Sequence, residues 1–216
     1  MRVVLIDGHP DESRLTSALL DIYEAALPSG SDIVRIAVRD LDFTPNLRFG
    51  YARRTPWEPD ISRLAEELDA CDHLVVCFPM WWGAEPAIVK GLLDRLLLPG
   101  FTFAYHSDDP WWDRLMAGRS ADAIITMDTP RIFLRFAYGD SIVRRWRKQV
   151  LDFCGFKPAR VLPLGPVKQG SAEKNWVKWT AKIEKLARTA GPSKPQEKAA
   201  RLEGFLQQSK AASTSA

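Results

Sequence analysis

Residues 72–103, DHLVVCFPMWWGAEPAIVKGLLDRLLLPGFTF, decide the fold. The segment 72–78 is apolar from His73 onward and of strand length, the pattern of a strand buried on both faces, as parallel sheets require. Pro79 removes a backbone donor and ends the run, Trp81, Trp82 and Gly83 follow in a loop, and Pro86 suits the first turn of a helix. Ile88, Val89, Leu92, Leu93, Leu96 and Leu97 then recur at helical spacing until Pro99-Gly100. Two adjacent tryptophans are thereby placed at the carboxyl end of a central strand, where open α/β sheets bind ligands. Neighbours on an extended loop point opposite ways, so one indole is expected to pack inward and the other to meet a flat apolar ligand or a partner subunit.

Outward from this stretch the chain alternates strands and helices. Residues 2–6 (RVVLI) read as the first strand, and Leu15, Ala18, Leu19, Ile22, Ala25 and Ala26 form a helical stripe ending at Pro28-Ser29-Gly30. The turn between them, DGHPDESRLT (7–16), is rich in donors. The free N–H groups of a helix start attract an anion, and Ser13, Thr16, His9 or Arg14 would add to that pull. The plainer reading is that Asp11, Glu12 or Ser13 caps the helix. Residues 32–38 give a second strand, 39–59 a long aperiodic loop, and Asp60 an N-cap for the stripe Ile61, Leu64, Ala65, Leu68. After the tryptophan loop and its helix, 101–120 carries Phe103, Tyr105, Trp111 and Trp112 in a polar loop. A fourth strand (121–127) ends in Asp128-Thr129-Pro130. Ile142, Val143, Trp146, Val150, Phe153 and Cys154 make a further helix, and 160–164 a fifth strand whose Pro163 indicates a sheet edge. Ser171 is the expected cap of a last helix with Trp176 and Trp179 in its core stripe.

Five alternations predict an α/β protein, a doubly wound five-stranded parallel sheet in the flavodoxin-like order 2-1-3-4-5. One domain is expected over 1–190, followed by a C-terminal tail, 191–216, partly helical or disordered. Its one amphipathic segment (Ala199, Leu202, Phe205, Leu206) is expected to be frayed or docked on a partner subunit.

The 216 residues, 46% hydrophobic, suffice for a single core. No run reaches the ~18 apolar residues of a membrane span, and no signal peptide is visible, so a cytoplasmic protein is expected. Cys71, Cys77 and Cys154 contain no Cys-x-x-Cys pair and are expected to be core thiols, with no metal site. The net charge of +3 resides mostly in the tail, with four basic against two acidic residues. That argues against a nucleic-acid surface.

The run PMWW-G-x-x-PAIVKG-x-x-DR-x-x-x-PGF-x-F resembles the second flavin loop and following helix of the NAD(P)H:quinone dehydrogenase family, flavoproteins of flavodoxin-like fold. The resemblance implies that a flavin (FMN or FAD) lies along Pro79, Met80, Trp81, Trp82 and Gly83. It implies that its phosphate is held by the first loop, where His9, Ser13, Leu15 and Thr16 match and Arg14 stands in the place of a common serine. Asp128 and Thr129 would face the flavin's polar edge, although the family's glycine pair there is absent and Pro130 offers no N–H. Phe103, Tyr105 and Tyr138 would line the substrate side, with Tyr138 the candidate catalytic donor to a quinone oxygen. The implied function is two-electron, ping-pong hydride transfer from NAD(P)H through the flavin to a quinone-like acceptor, in a homodimer. A flavodoxin-type electron carrier without nicotinamide turnover is the principal alternative, opposed by the aromatic loop and the basic balance. A receiver domain would need an aspartate where Phe78-Pro79-Met80 stands. A Ser13-His9-Asp7 hydrolase would crowd its triad onto one turn without an oxyanion hole.

Overall fold

The computed structural model describes residues 1–168, 170–192 and 202–207. The central sheet consists of β1 (Arg2–Asp7), β2 (Asp32–Ala37), β3 (His73–Pro79), β6 (Ser120–Thr126) and β7 (Ala159–Leu164), all parallel, in the order β2-β1-β3-β6-β7. With a small hairpin, β4 (Phe103–Tyr105) and β5 (Trp112–Arg114), set aside, this is the expected 2-1-3-4-5. β3 and β6 are buried at every residue because helices cover both faces of the sheet. On one face α2 (Pro59–Ala70) and α3 (Ala87–Leu96) pack with the helical segment from α5 (Ser141–Arg144) through the π-helical Arg145–Leu151 to α6 (Asp152–Cys154). On the other lie α1 (Leu15–Ala25) and α7 (Ser171–Arg188). A short helix, α4 (Arg131–Phe136), follows β6. No helix among the described residues is long and apolar enough to cross a membrane.

Several local expectations are corrected. Helix α2 begins at Pro59, a residue suited to the first helical position, so Glu58 and not Asp60 is the N-cap. Gly170, in the left-handed region, precedes Ser171 as the cap of α7. Trp179 is buried, whereas Trp176, one turn earlier and off the buried stripe, is 37% exposed. The 101–120 stretch forms the hairpin instead of a loop. Phe103 is buried against Phe153, and Trp112 stacks on the same ring while its Nε1 donates to the Phe153 carbonyl at 2.8 Å. The three cysteines are free and buried, as expected. Residues 202–207 are helical, and Phe205 packs into this chain's own core between Trp57 and Phe101. Ala199 and the rest of the tail beyond 192 lie outside the described residues.

A polar network crosses the sheet core far from the carboxyl ends of the strands. Asp122 receives the Tyr23 hydroxyl at 2.6 Å and Arg160 Nε and Nη2, each at 2.6 Å. The Tyr23 hydroxyl also meets His73 Nε2 at 2.8 Å. Arg160 reaches on to the Leu186 and Thr189 carbonyls, tying the end of α7 to the sheet. Burial alone would raise the Asp122 carboxyl, but hydrogen bonds from His73 and Arg160 overcome it and hold the group below the ordinary carboxylate range. A carboxyl depressed on folding contributes stability above its unfolded pKa, and that contribution is lost as pH falls through the folded value. Wild-type stability is therefore expected to fall on acidification more steeply than that of Asp122→Asn, measured as urea midpoints between pH 7 and pH 3. Parallel curves would remove Asp122 from the acid limb.

Candidate functional site

The first loop is built on a buried aspartate. Asp7, the last residue of β1, accepts the Thr16 hydroxyl at 2.8 Å, the His9 N–H at 3.2 Å and Arg39 Nη1 at 2.9 Å. Arg39 donates also to the His9 and Asp11 carbonyls, so the 8–12 backbone is clamped from below. Helix α1 starts after Arg14 with no side-chain cap, so none of Asp11, Glu12 and Ser13 takes the capping role. Its first N–H groups and its dipole face the loop, the arrangement that favours an anion. His9 uses Nδ1 on the Asp11 backbone and leaves Nε2 without a partner among the described residues. Arg14 is exposed and its Nε bonds Asp11 at 2.6 Å, which depresses the Asp11 carboxyl. Thr16 is buried, its hydroxyl proton given to Asp7, so it builds the loop from within.

The second loop is a two-residue hairpin turn. Trp81 and Ala84 exchange backbone hydrogen bonds at 2.9 and 3.0 Å, with Trp82 at φ 52° and Gly83 at φ 77°. Two positive φ values in succession define the type I′ turn. The expectation that one indole packs inward is overturned. Trp81 is 46% exposed and Trp82 wholly exposed, because the turn lifts both off the sheet. Trp81 meets the His9 ring edge-on at 5.7 Å, so the first two loops touch. Pro79 is buried, paired with Thr126 at the end of β3.

Met80, Trp81, Trp82 and Gly83 form one wall of a cavity of about 610 Å³. Asp128 and Thr129, after β6, contribute polar groups, and Leu134, Tyr138 and Ser141, from the segment that follows, complete the lining. The structure thus brings together the second loop, the third loop and Tyr138, and sets the first loop beside them through the His9–Trp81 contact. It does not bring Phe103 and Tyr105 into this cavity. Phe103 is core and Tyr105 stands exposed on the hairpin. Left-handed backbone at non-glycine residues occurs at Ser13, Trp82 and Asp140 among the described residues. The first two lie on the site loops, and Asp140 lies between two lining residues. Such strain persists where surrounding structure enforces it, commonly at ligand sites.

Sequence reasoning missed Leu134, Ser141 and Glu85. Glu85 is buried behind the second loop, paired with Arg145 and accepting Trp146 Nε1 at 3.1 Å. Trp146 in turn packs on Phe78 at 4.5 Å. The clamp joins the tryptophan turn to the helical segment that follows Tyr138. Only a glutamate directly before the helix-starting Pro86 signalled it.

A parallel five-stranded sheet in the order β2-β1-β3-β6-β7, covered by helices on both faces, defines a flavodoxin-like fold. The chain belongs to the flavodoxin-like fold family, whose model matches residues 1–187. It is 26% identical over 179 residues to the FMN-dependent NADH:quinone oxidoreductase of Nitratidesulfovibrio vulgaris, covering 80% of each chain. It is 31% identical over 105 residues to NAD(P)H dehydrogenase [quinone] 1 of Rattus norvegicus. That match covers 46% of this chain and spans only 37% of the rat protein's length. The NAD(P)H:quinone oxidoreductase from Methanothermobacter marburgensis shares the fold with a TM-score of 0.74 at 18% identity, over 88% of this chain and 98% of that one.

Proposed function

We propose that the protein is a flavin-dependent NAD(P)H oxidoreductase that reduces a quinone-like acceptor. The observation that carries this reading is that the turns after β3 and β6 line one cavity of about 610 Å³, within the ~300–1,000 Å³ range of small-ligand sites, with the turn after β1 set against it through the His9–Trp81 contact. The donor set fits a phosphate-tethered aromatic ring: an uncapped helix start with His9 Nε2 beside it, an indole-lined slot, and a polar far edge. FMN is the favoured flavin and NADH the favoured reductant, since the Nitratidesulfovibrio relative matched over 80% of both chains is an FMN-dependent NADH enzyme.

The start of α1 at Leu15, with Ser13 just before its N-cap Arg14, and His9 and Arg14 hold the phosphate, Arg14 exchanging part of its bond to Asp11 for the ligand. Met80 to Gly83 and both indoles cover the ring and exclude water. Asp128 and Thr129 face its polar edge, Thr129 as donor. Bound there, the flavin supplies two-electron acceptance and release. Tyr138, 63% exposed at the mouth, has a phenol free to donate to an acceptor oxygen. Phe103 is packed in this chain's own core and is left out of the substrate side, whereas the exposed Tyr105 does not reach its own cavity, so a substrate-side role for it requires a second copy. We therefore infer a homodimer in which Tyr105 faces the partner's site. Three free buried thiols accord with a reducing, cytoplasmic setting.

Two substitutions test these roles. Trp82→Gly removes left-handed strain on the order of 1–3 kcal/mol from a wholly exposed residue, so Tm is expected to hold or rise. FMN affinity in the same variant is expected to drop roughly tenfold through lost ring contact. Unchanged FMN affinity would take Trp82 out of the slot. Tyr138→Phe is expected to slow the acceptor half-reaction roughly tenfold while leaving reduction by NADH unchanged, followed by stopped-flow absorbance. Equal slowing of both halves would make Tyr138 a general structural residue of the cavity.

A further inference from the structure

The part of the cavity lining that follows β6 carries a tight turn of its own, Tyr138-Gly139-Asp140-Ser141. The Ser141 N–H donates to the Tyr138 carbonyl at 3.2 Å, with Gly139 at φ 59° and Asp140 at φ 54°. These are the paired positive angles also found at Trp82-Gly83, and the closure brings the Cα atoms of Tyr138 and Ser141 to within ~7 Å. Helix α4 fastens the turn. The Tyr138 N–H donates to the Phe133 carbonyl at 3.1 Å and the Asp140 N–H to the Leu134 carbonyl at 2.8 Å. Arg131 holds both carboxylate oxygens of Asp140, through Nη1 and, at 2.9 Å, through Nη2. A bidentate pair of this kind fixes geometry as well as adding energy, so the first and last side chains of the turn are presented in a set relation. Both of them are exposed and both line the cavity of about 610 Å³. Neither hydroxyl has a hydrogen-bond partner among the described residues.

Two free hydroxyl donors on one stretch of wall ask for two acceptor oxygens on one edge of a ligand. The oxygens of a para-quinone leave the ring at opposite edges, so only one of them meets this turn. Those of an ortho-quinone stand side by side. We propose that Ser141 is a second acceptor-binding donor beside Tyr138, and that the site prefers ortho-quinones. The inference rests on the oxidoreductase reading and names its substrate class. Reduction of an ortho-quinone to the catechol consumes one hydride, supplied by NADH, and one proton from water, and leaves NAD⁺. Negative charge develops on both oxygens as the electrons arrive, so a donor on each stabilises the transition state more than a donor on one.

The FMN-loaded protein, reduced anaerobically with NADH, is mixed by stopped flow with 1,2-naphthoquinone or with its isomer 1,4-naphthoquinone, and flavin absorbance follows reoxidation. Comparing the ratio of the two second-order rates between variant and wild type cancels the isomers' own difference in reactivity. Ser141→Ala is expected to lower the 1,2-to-1,4 ratio roughly tenfold, and Tyr138→Phe to slow both isomers. Equal slowing of both isomers by Ser141→Ala would put the two hydroxyls on a single oxygen, and a rate unmoved for either isomer would take Ser141 out of acceptor binding. Either result would overturn the ortho-quinone assignment and leave the oxidoreductase standing. Failure of NADH to reduce the bound flavin would overturn both.

Discussion

Arg95→Met is expected to cost about 3–5 kcal/mol of stability, the scale for removing one partner of a buried ion pair. Arg95 lies on α3 with none of its surface exposed. Its Nη1 donates to the Thr44 carbonyl at 2.5 Å and Glu58 Oε1 at 3.0 Å, and its Nη2 to the Pro56 carbonyl at 2.6 Å and Glu58 Oε2 at 2.8 Å. The arginine therefore fastens both ends of the 44–58 segment to the helix that follows the tryptophan turn, and Trp57 Nε1 closes the contact on the Arg95 carbonyl at 2.7 Å. Methionine keeps most of the stem volume but takes the donor from the Thr44 and Pro56 carbonyls and leaves the Glu58 carboxylate with only the Thr44 N–H, at 3.1 Å. The test is the urea midpoint at unchanged m-value, with proteolysis of the 44–58 loop as a second readout. A loss below about 1 kcal/mol would place the pair with ordinary surface salt bridges.

Gly8→Ala is expected to leave a folded protein that retains FMN at least roughly 100-fold less tightly. A Cβ at Gly8 would stand 2.8 Å from Val89 Cγ2, 2.9 Å from Phe78 Cβ and 3.1 Å from the Cys77 carbonyl. The Gly8 N–H already bonds that carbonyl at 2.7 Å, so the loop cannot approach β3 with a side chain in place. The backbone must lift, and it carries His9 and the start of α1 with it. Misplacement of a binding group by about 1 Å costs on the order of 100-fold where geometry is demanding. Far-UV circular dichroism reports the fold, and fluorescence titration reports the affinity. Wild-type affinity in a folded variant would show that the first loop does not hold the ligand.

The sheet order was legible because β1, β3 and β6 are short apolar runs separated by helical stripes, a pattern that few other folds produce. The placing of the candidate site rests on the same pattern, since the chemistry-bearing turns fall after β1, β3 and β6 and topology carries them to one rim. What stayed hidden depends on long-range pairing. The Asp7–Arg39 clamp joins residues 32 apart, and the Glu85–Trp146 bond joins residues 61 apart. No local periodicity encodes such pairs. The outward turn of both indoles was missed because a tryptophan at φ 52° is rarely tolerated, and only the Trp81–Ala84 bonds reveal it. Phe205 was unreadable for a similar reason: its slot between Trp57 and Phe101 is assembled from distant parts of the chain.

Titration of the flavin-free protein with FMN, followed by quenching of flavin fluorescence and then by anaerobic addition of NADH, tests the central claim most directly. The rim of three turns is expected to bind one FMN per chain at micromolar concentration or below, and NADH is expected to bleach the bound flavin's visible absorbance in a single phase. Failure to bind FMN saturably would contradict the ligand assignment, and a bound flavin that NADH leaves yellow would contradict the oxidoreductase.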